Sequence, residues 1–132
     1  MKAKVTRGCG VKGLLRYAFD VGPKATGSKR AEQVGGNMVG QDIRELEQEF
    51  GIVYRLRPDI AKPVWHCSLS LPTGERLEKD KWDKVVADFL KQMQFDLRLT
   101  QYVAVRHQDT KYDHVHIIVS RVRMDARVWL GR

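Results

Sequence analysis

A chain of 132 residues has room for one domain, since single hydrophobic cores are built from about 100–200 residues. With 42% hydrophobic and 30% charged residues it can bury a core, and it does not read as a disordered chain. Lys and Arg number 24 against 16 acidic residues, a formal charge of +8 that favours a polyanionic partner, nucleic acid or an anionic membrane surface, without choosing between them.

No apolar stretch approaches the roughly 18 residues that a membrane span needs. The opening Met1-Lys2-Ala3-Lys4-Val5 lacks the apolar centre of a signal peptide, so no membrane insertion is expected and the compartment expected is the cytoplasm. Cys9 and Cys67 fit no metal-binding spacing and are expected to be free thiols.

Along the chain, Val11, Leu14, Leu15, Ala18 and Phe19 recur at helical spacing, with Gly22-Pro23 as the stop, so a short first helix carries Tyr17. Lys24 to Gly40 is rich in Gly, Ser and Lys and contains Gly35-Gly36-Asn37-Met38. It is expected to be a mobile loop, or a place of close backbone approach to a phosphate. A second helix is predicted from about Gln41 to Phe50, with Ile43, Leu46 and Phe50 on one side and Gly51 as its stop. Val64 to Leu71 alternates as a strand, with Trp65, Cys67, Leu69 and Leu71 on one face and His66, Ser68 and Ser70 on the other.

Pro72-Thr73-Gly74 turns the chain into the longest helix, about Lys79 to Gln94, whose apolar stripe Trp82, Val85, Val86, Phe89, Leu90 and Met93 is core. Gln101 to His107 and His114 to Val122 read as two strands of a hairpin joined by the polar segment Gln108 to Asp113. Arg127 to Trp129 is expected to add a short edge strand through a turn at Met124-Asp125-Ala126. Tyr54 and Tyr102 read as packing residues.

Strand alternation sends His114 and His116 to the same face, with Ile118 and Ser120, while Val115, Ile117 and Val119 take the other. A hairpin returns His107 to them, so three of the chain's four histidines converge. Three neutral nitrogen ligands leave positions open on a cation, as a catalytic site requires. By ligand preference the set suits Mn, Zn, Ni or Co, whereas Mg prefers oxygen. Asp109 is placed either to accept a hydrogen bond from a ligand imidazole or to take a proton, or else to cap the loop as a turn residue.

His107-Gln108-Asp109-Thr110 followed by His114-Val115-His116-Ile117-Ile118-Val119 resembles the third motif of plasmid mobilisation relaxases of the MobA and conjugative TraI type, within the wider HUH endonucleases. Gly13-Leu14-Leu15-Arg16-Tyr17 resembles their first motif, which carries the catalytic tyrosine. His66-Cys67-Ser68-Leu69-Ser70 resembles the second, whose serine contacts DNA, and Gly35-Gly36-Asn37-Met38 is similar to a segment of the same group. The motifs stand in the family's order over residues about 13 to 121, and no tyrosine follows Tyr112, which favours relaxases over rolling-circle initiators and related transposases, whose tyrosine comes after the histidines. Ser120 stands where members of the family often carry Asn.

The resemblance implies an α+β fold in which a central antiparallel sheet of about five strands has helices on one face and the metal site on the other. The whole chain, 1–132, would be one catalytic core lacking the C-terminal part of a full relaxase domain. It implies a nuclease that nicks one strand of DNA at an origin of transfer and stays joined to it through a 5′-phosphotyrosyl bond. Its catalytic residues would be Tyr17, Asp109 and His107, and its metal ligands His107, His114 and His116. One divalent cation is implied, Mn or Mg in function, with Zn, Ni or Co allowed by the ligand set. Ser70, Asn37, Lys24, Lys29, Arg30, Arg121 and Tyr112 would contact DNA, and Arg55, Arg57 and Arg123 could line its path.

The partners implied are single-stranded DNA, relaxosome accessory proteins and a secretion coupling protein, in a bacterial cytoplasm. The alternative is a catalytically inactive module of the same fold that holds single-stranded DNA. A two-histidine phosphoesterase ranks lower, because His66-Cys67-Ser68 alone fits its motif, and a small-molecule metal hydrolase leaves the charge unexplained.

Overall fold

A computed structural model describes residues 1–8, 10–21, 31–107 and 112–131. Among these residues the strands are β1 (Lys2–Gly8), β2 (Glu32–Gly36), β3 (Val64–Ser70), β4 (Tyr102–His107) and β5 (His114–Ser120). The helices are α1 (Lys12–Ala18), α2 (Ile43–Tyr54) and α3 (Lys79–Gln92). The strands form one antiparallel sheet in the order β1-β3-β5-β4-β2, which puts the two-histidine strand β5 at its centre. The α+β class and the five-stranded antiparallel sheet are therefore as expected.

The placing of the helices differs from expectation, because the sheet is covered on both faces. On one face Trp82, Val86 and Leu90 of α3 pack against Trp65, Cys67, Leu69, Ala104, Val115, Ile117 and Val119. Trp65, Trp82 and Leu90 are fully buried there, each stabilising the fold by about 1.5–3 kcal/mol through removal of apolar surface from water. On the other face Leu15 and Ala18 of α1 and Leu46 and Phe50 of α2 pack against Val64, Val103, Val105 and Ile118. By strand parity His66, His107, His114 and His116 belong to this second face, so the candidate metal site shares its side with α1 and α2. A short α1 with apolar residues at Leu15 and Ala18 needs a sheet surface to cover, and covering this one brings Tyr17 to the histidines.

The Gly-rich segment also differs from expectation. Its described part is the edge strand β2, with a register shift between Gln33 and Gly35 where it pairs with β4. Among its described glycines, Gly36 serves close backbone approach to protein. Gly36 has φ of +133°, and a side chain there would meet the Tyr102 carbonyl at 2.7 Å.

α2 runs through Gly51 to Tyr54, because Val53 extends the buried stripe begun by Leu46 and Phe50 and outweighs the modest helix cost of one glycine. Its start is capped: Asp42 accepts from the Glu45 N–H at 2.9 Å, while the Glu45 carboxylate accepts from the Gln41 N–H at 2.7 Å. The expected terminal edge strand reduces to one antiparallel bridge, Val122 to Val128, across a turn in which Ala126 takes φ of 69°. Tyr102 is buried, and Tyr54 stacks on Phe50 with ring centroids 6.0 Å apart, as packing residues should. Cys67 is a buried free thiol, and Cys9 lies outside the described residues.

Candidate active site

The site follows from hairpin register. β4 and β5 pair so that His107 stands directly opposite His114, and Val105 opposite His116. Alternation along β5 puts His114 and His116 on one face, and the pairing puts His107 beside them. One ligand nitrogen from each of the three lies within 4.8 Å of the others, close enough to share one cation. His107 and His116 are buried, at 2% and 6% relative exposure, and His114 is half-buried.

The second nitrogen of each ring is directed by the protein. His107 Nε2–H donates to the Ala18 carbonyl at 2.6 Å, and His114 Nδ1–H donates to the Tyr112 carbonyl at 3.2 Å. A carbonyl can only accept, so these bonds put the ring protons on those nitrogens and the lone pairs on His107 Nδ1 and His114 Nε2. The third partner is the histidine that sequence reasoning left out of the cluster. His66, on the neighbouring strand β3, brings its Nε2 to 2.9 Å from His116 Nδ1, with the two rings only 7° from parallel. Burial, and then the Lys4 ammonium, hold His66 below the usual imidazole range, so it is neutral and able to accept. His66 Nδ1 in turn lies 3.4 Å from Thr6 Oγ1, and the tautomer in which His116 Nδ1–H donates to His66 leaves the His116 lone pair on Nε2. Three imidazoles whose second nitrogens are directed in this way are a donor set that fits a divalent cation.

Tyr17 lies over this cluster. Its ring is edge-on to His116, with centroids 5.4 Å apart and planes at 88°, and to His107 at 6.3 Å and 63°. Tyr17 is 47% exposed, so part of the residue faces solvent while its ring rests on the histidines. The carbonyl that holds His107 belongs to Ala18, the residue after Tyr17, so α1 positions the tyrosine and one histidine together.

A second residue missed from sequence is Asp113, expected only as part of a polar hairpin loop. It is fully buried and takes bonds from Arg106 Nε and Nη2 at 2.9 Å, from the Leu77 N–H at 2.9 Å and from Trp82 Nε1 at 3.1 Å. Burial opposes its ionisation, but these donors outweigh it and hold the carboxyl below the usual range. Asp113 thus ties the start of β5, directly before His114, to α3 and β4.

The model of the relaxase family's MobA/VirD2-like nuclease domain matches residues 17–130. The chain belongs to the relaxase family. No curated protein and no solved structure matches it.

In this relaxase the match begins on Tyr17 and covers all four histidines. Of the residues expected at DNA, Ser70 pairs in register with His114 on the histidine face, and with Tyr112 it lines a pocket of about 310 Å³ beside the cluster. Lys2 and Lys4 pair with Ser70 and Ser68 on the same face, a basic row that the alternation of β1 could have revealed.

Asn37 lies at the other end of β4. Its Nδ2 donates to the Leu97 carbonyl at 3.1 Å and the Thr100 carbonyl at 2.6 Å, and its Oδ1 accepts from the Tyr102 N–H at 3.1 Å. Arg121 also lies away from the cluster, past the far end of β5, and its Nη1 donates to the Lys62 carbonyl at 2.7 Å. Arg57 and Arg123 are paired with Asp59 and Asp125, and Arg55 is exposed at the end of α2. Asp109, Lys24, Lys29 and Arg30 lie outside the described residues. Among the described residues no helix is long and apolar enough to cross a membrane.

Proposed function

We propose that this chain is a site- and strand-specific DNA-nicking transesterase that acts at an origin of transfer, in plasmid mobilisation or conjugation, through a covalent bond to Tyr17. The observation that carries the reading is the seat of Tyr17 edge-on to His107 and His116, two of the three histidines of the cluster. Membership of a family of DNA-nicking enzymes that bind single-stranded DNA supports it.

In the proposed step the Tyr17 oxygen attacks a backbone phosphorus in line. The bond from oxygen to phosphorus forms as the bond from phosphorus to the 3′ oxygen breaks, and the phenol proton ends on the freed 3′-hydroxyl. The product is a 5′-phosphotyrosyl enzyme. One ester replaces another, so the strand can be rejoined without an external energy source. His107, His114 and His116 would hold a divalent cation, which supplies Lewis-acid charge beside a phosphate oxygen when bound.

An ordinary tyrosine, with a pKa near 10, is a poor nucleophile at neutral pH and needs a base. Asp109 is proposed to take that proton directly, since both nitrogens of His107 are committed, one to the Ala18 carbonyl and one to the cation. Ser70, Tyr112, Lys2 and Lys4 are proposed to seat the strand beside the cluster, where cations meet phosphates and an aromatic ring stacks on a base. Accessory proteins of a relaxosome and a secretion coupling protein are proposed as further partners.

Incubation with single-stranded oligonucleotides of candidate origin sequence and Mn, followed by a denaturing gel, tests the reading. A protein–DNA covalent species that disappears with chelator supports it. Binding without any adduct across such sequences would favour a DNA-holding module instead.

A further inference from the structure

Past the ends of β1 and β5 remote from the histidines, Arg7, Arg57, Asp59, Lys62, Arg121 and Leu130 line an open cleft of about 540 Å³. Among the described residues the charges in it do not balance. Arg57 is neutralised by a two-point pair with Asp59, through Nε at 2.9 Å and Nη2 at 2.8 Å. Arg7 and Arg121 have no carboxylate within ion-pair distance among the described residues. Arg7 Nη2 donates to the Leu130 carbonyl at 3.3 Å, with its guanidinium 5.5 Å from the centre of the Trp129 ring, and Arg121 Nη1 donates to the Lys62 carbonyl at 2.7 Å. Both heads are thus held in place by neutral groups. The Nε–H of Arg121 is buried with no acceptor among the described residues.

Two fixed guanidiniums that share a cleft repel each other, and a lysine adds to the excess. A buried donor without an acceptor leaves a hydrogen bond unmade, which is unfavourable. One anion entering the cleft relieves both. Guanidinium forks match the spacing of phosphate oxygens, and an open cleft admits a continuous chain.

We propose that this cleft is a second phosphate site, which takes a backbone phosphodiester of the same single DNA strand at a distance from the nick. Arg121 lies five residues along the chain from His116, roughly 17 Å at strand rise, too far for one phosphate to serve both places. Arg7 pairs with Trp65 on the α3 face, so the site would anchor the strand past the end of the sheet, away from the reaction. It rests on the DNA-binding reading given above.

The test is fluorescence anisotropy of a labelled single-stranded oligonucleotide over a salt series, with the full chain and its Arg7→Gln and Arg121→Gln variants. Each phosphate contact on a single strand contributes about 0.7 to the slope of log affinity against log salt. Each variant is expected to lower the slope by about that amount and to weaken binding at low salt. Arg98→Gln, which removes an exposed cation paired with Asp96 elsewhere on the surface, is expected to change neither. Arg7 is exposed, so its variant stays readable even if Arg121→Gln folds poorly. Inorganic phosphate should raise the thermal midpoint of the unaltered chain more than that of Arg7→Gln.

DNA binding by the unaltered chain with the same slope in Arg7→Gln would overturn the second site and leave the nicking reading standing. That result together with stabilisation by phosphate would overturn DNA as the occupant. An unaltered chain that binds no single-stranded DNA would overturn both.

Discussion

His66 Nε2 stands 2.9 Å from His116 Nδ1, with the two rings 7° from parallel, so a residue of the second motif is placed to orient a proposed ligand in the third. Partners of this kind are worth about 10–100-fold in metal affinity. His66→Ala is therefore expected to weaken Mn binding by a factor in that range, measured by isothermal titration calorimetry. His66→Gln, whose amide oxygen can still accept from His116, should recover part of the loss. Equal affinity in all three proteins would show that His66 does not orient the ligand.

Asp113 offers a test through stability. Its Arg106 partner has a side chain only 12% exposed, and removal of one member of a buried pair costs about 3–5 kcal/mol. Asp113→Asn should lose roughly that much at pH 7 by urea unfolding. The folded carboxyl is held below the usual range. Its stabilisation is therefore complete above the unfolded value, about 3.9, and is lost as pH falls through the lower folded value. The gap between Asp113→Asn and the unaltered chain should accordingly narrow below about pH 4, reckoned from that same unfolded value. A gap that widens in acid would contradict the assignment.

The hairpin and its histidines were legible in the sequence because both depend on local rules: alternation aims His114 and His116 together, and a short connection returns His107. The Tyr17 motif was legible through resemblance, and the register and packing then gave it neighbours. His66 escaped because its meeting with His116 spans 50 residues, and pairing between strands distant in sequence leaves no local periodicity. Asp113 escaped for a related reason. A charged residue between polar neighbours reads as solvated loop until Arg106, Leu77 and Trp82 are seen around it. The face chosen by α1 was misjudged because an apolar stripe says that a helix is covered, and not by which side of a sheet.

Asn37 illustrates the same limit, since its three hydrogen bonds reach residues about 60 positions away. Truncation to Ala leaves the Tyr102 N–H and the Thr100 carbonyl without that partner, at a cost of about 1–3 kcal/mol. Chemical denaturation should show a loss of that size. A loss within experimental error would mean that the clamp contributes nothing to the fold.

The nucleophile can be located directly. After reaction with a cleavable single-stranded oligonucleotide and Mn, nuclease trimming, proteolysis and mass spectrometry should find the 5′-phosphonucleotide on the peptide that contains Tyr17. The Tyr17→Phe variant, which keeps the ring on His107 and His116, should still bind cation and DNA and form no adduct. A nucleotide found on Tyr112, or an undiminished adduct in Tyr17→Phe, would contradict the account.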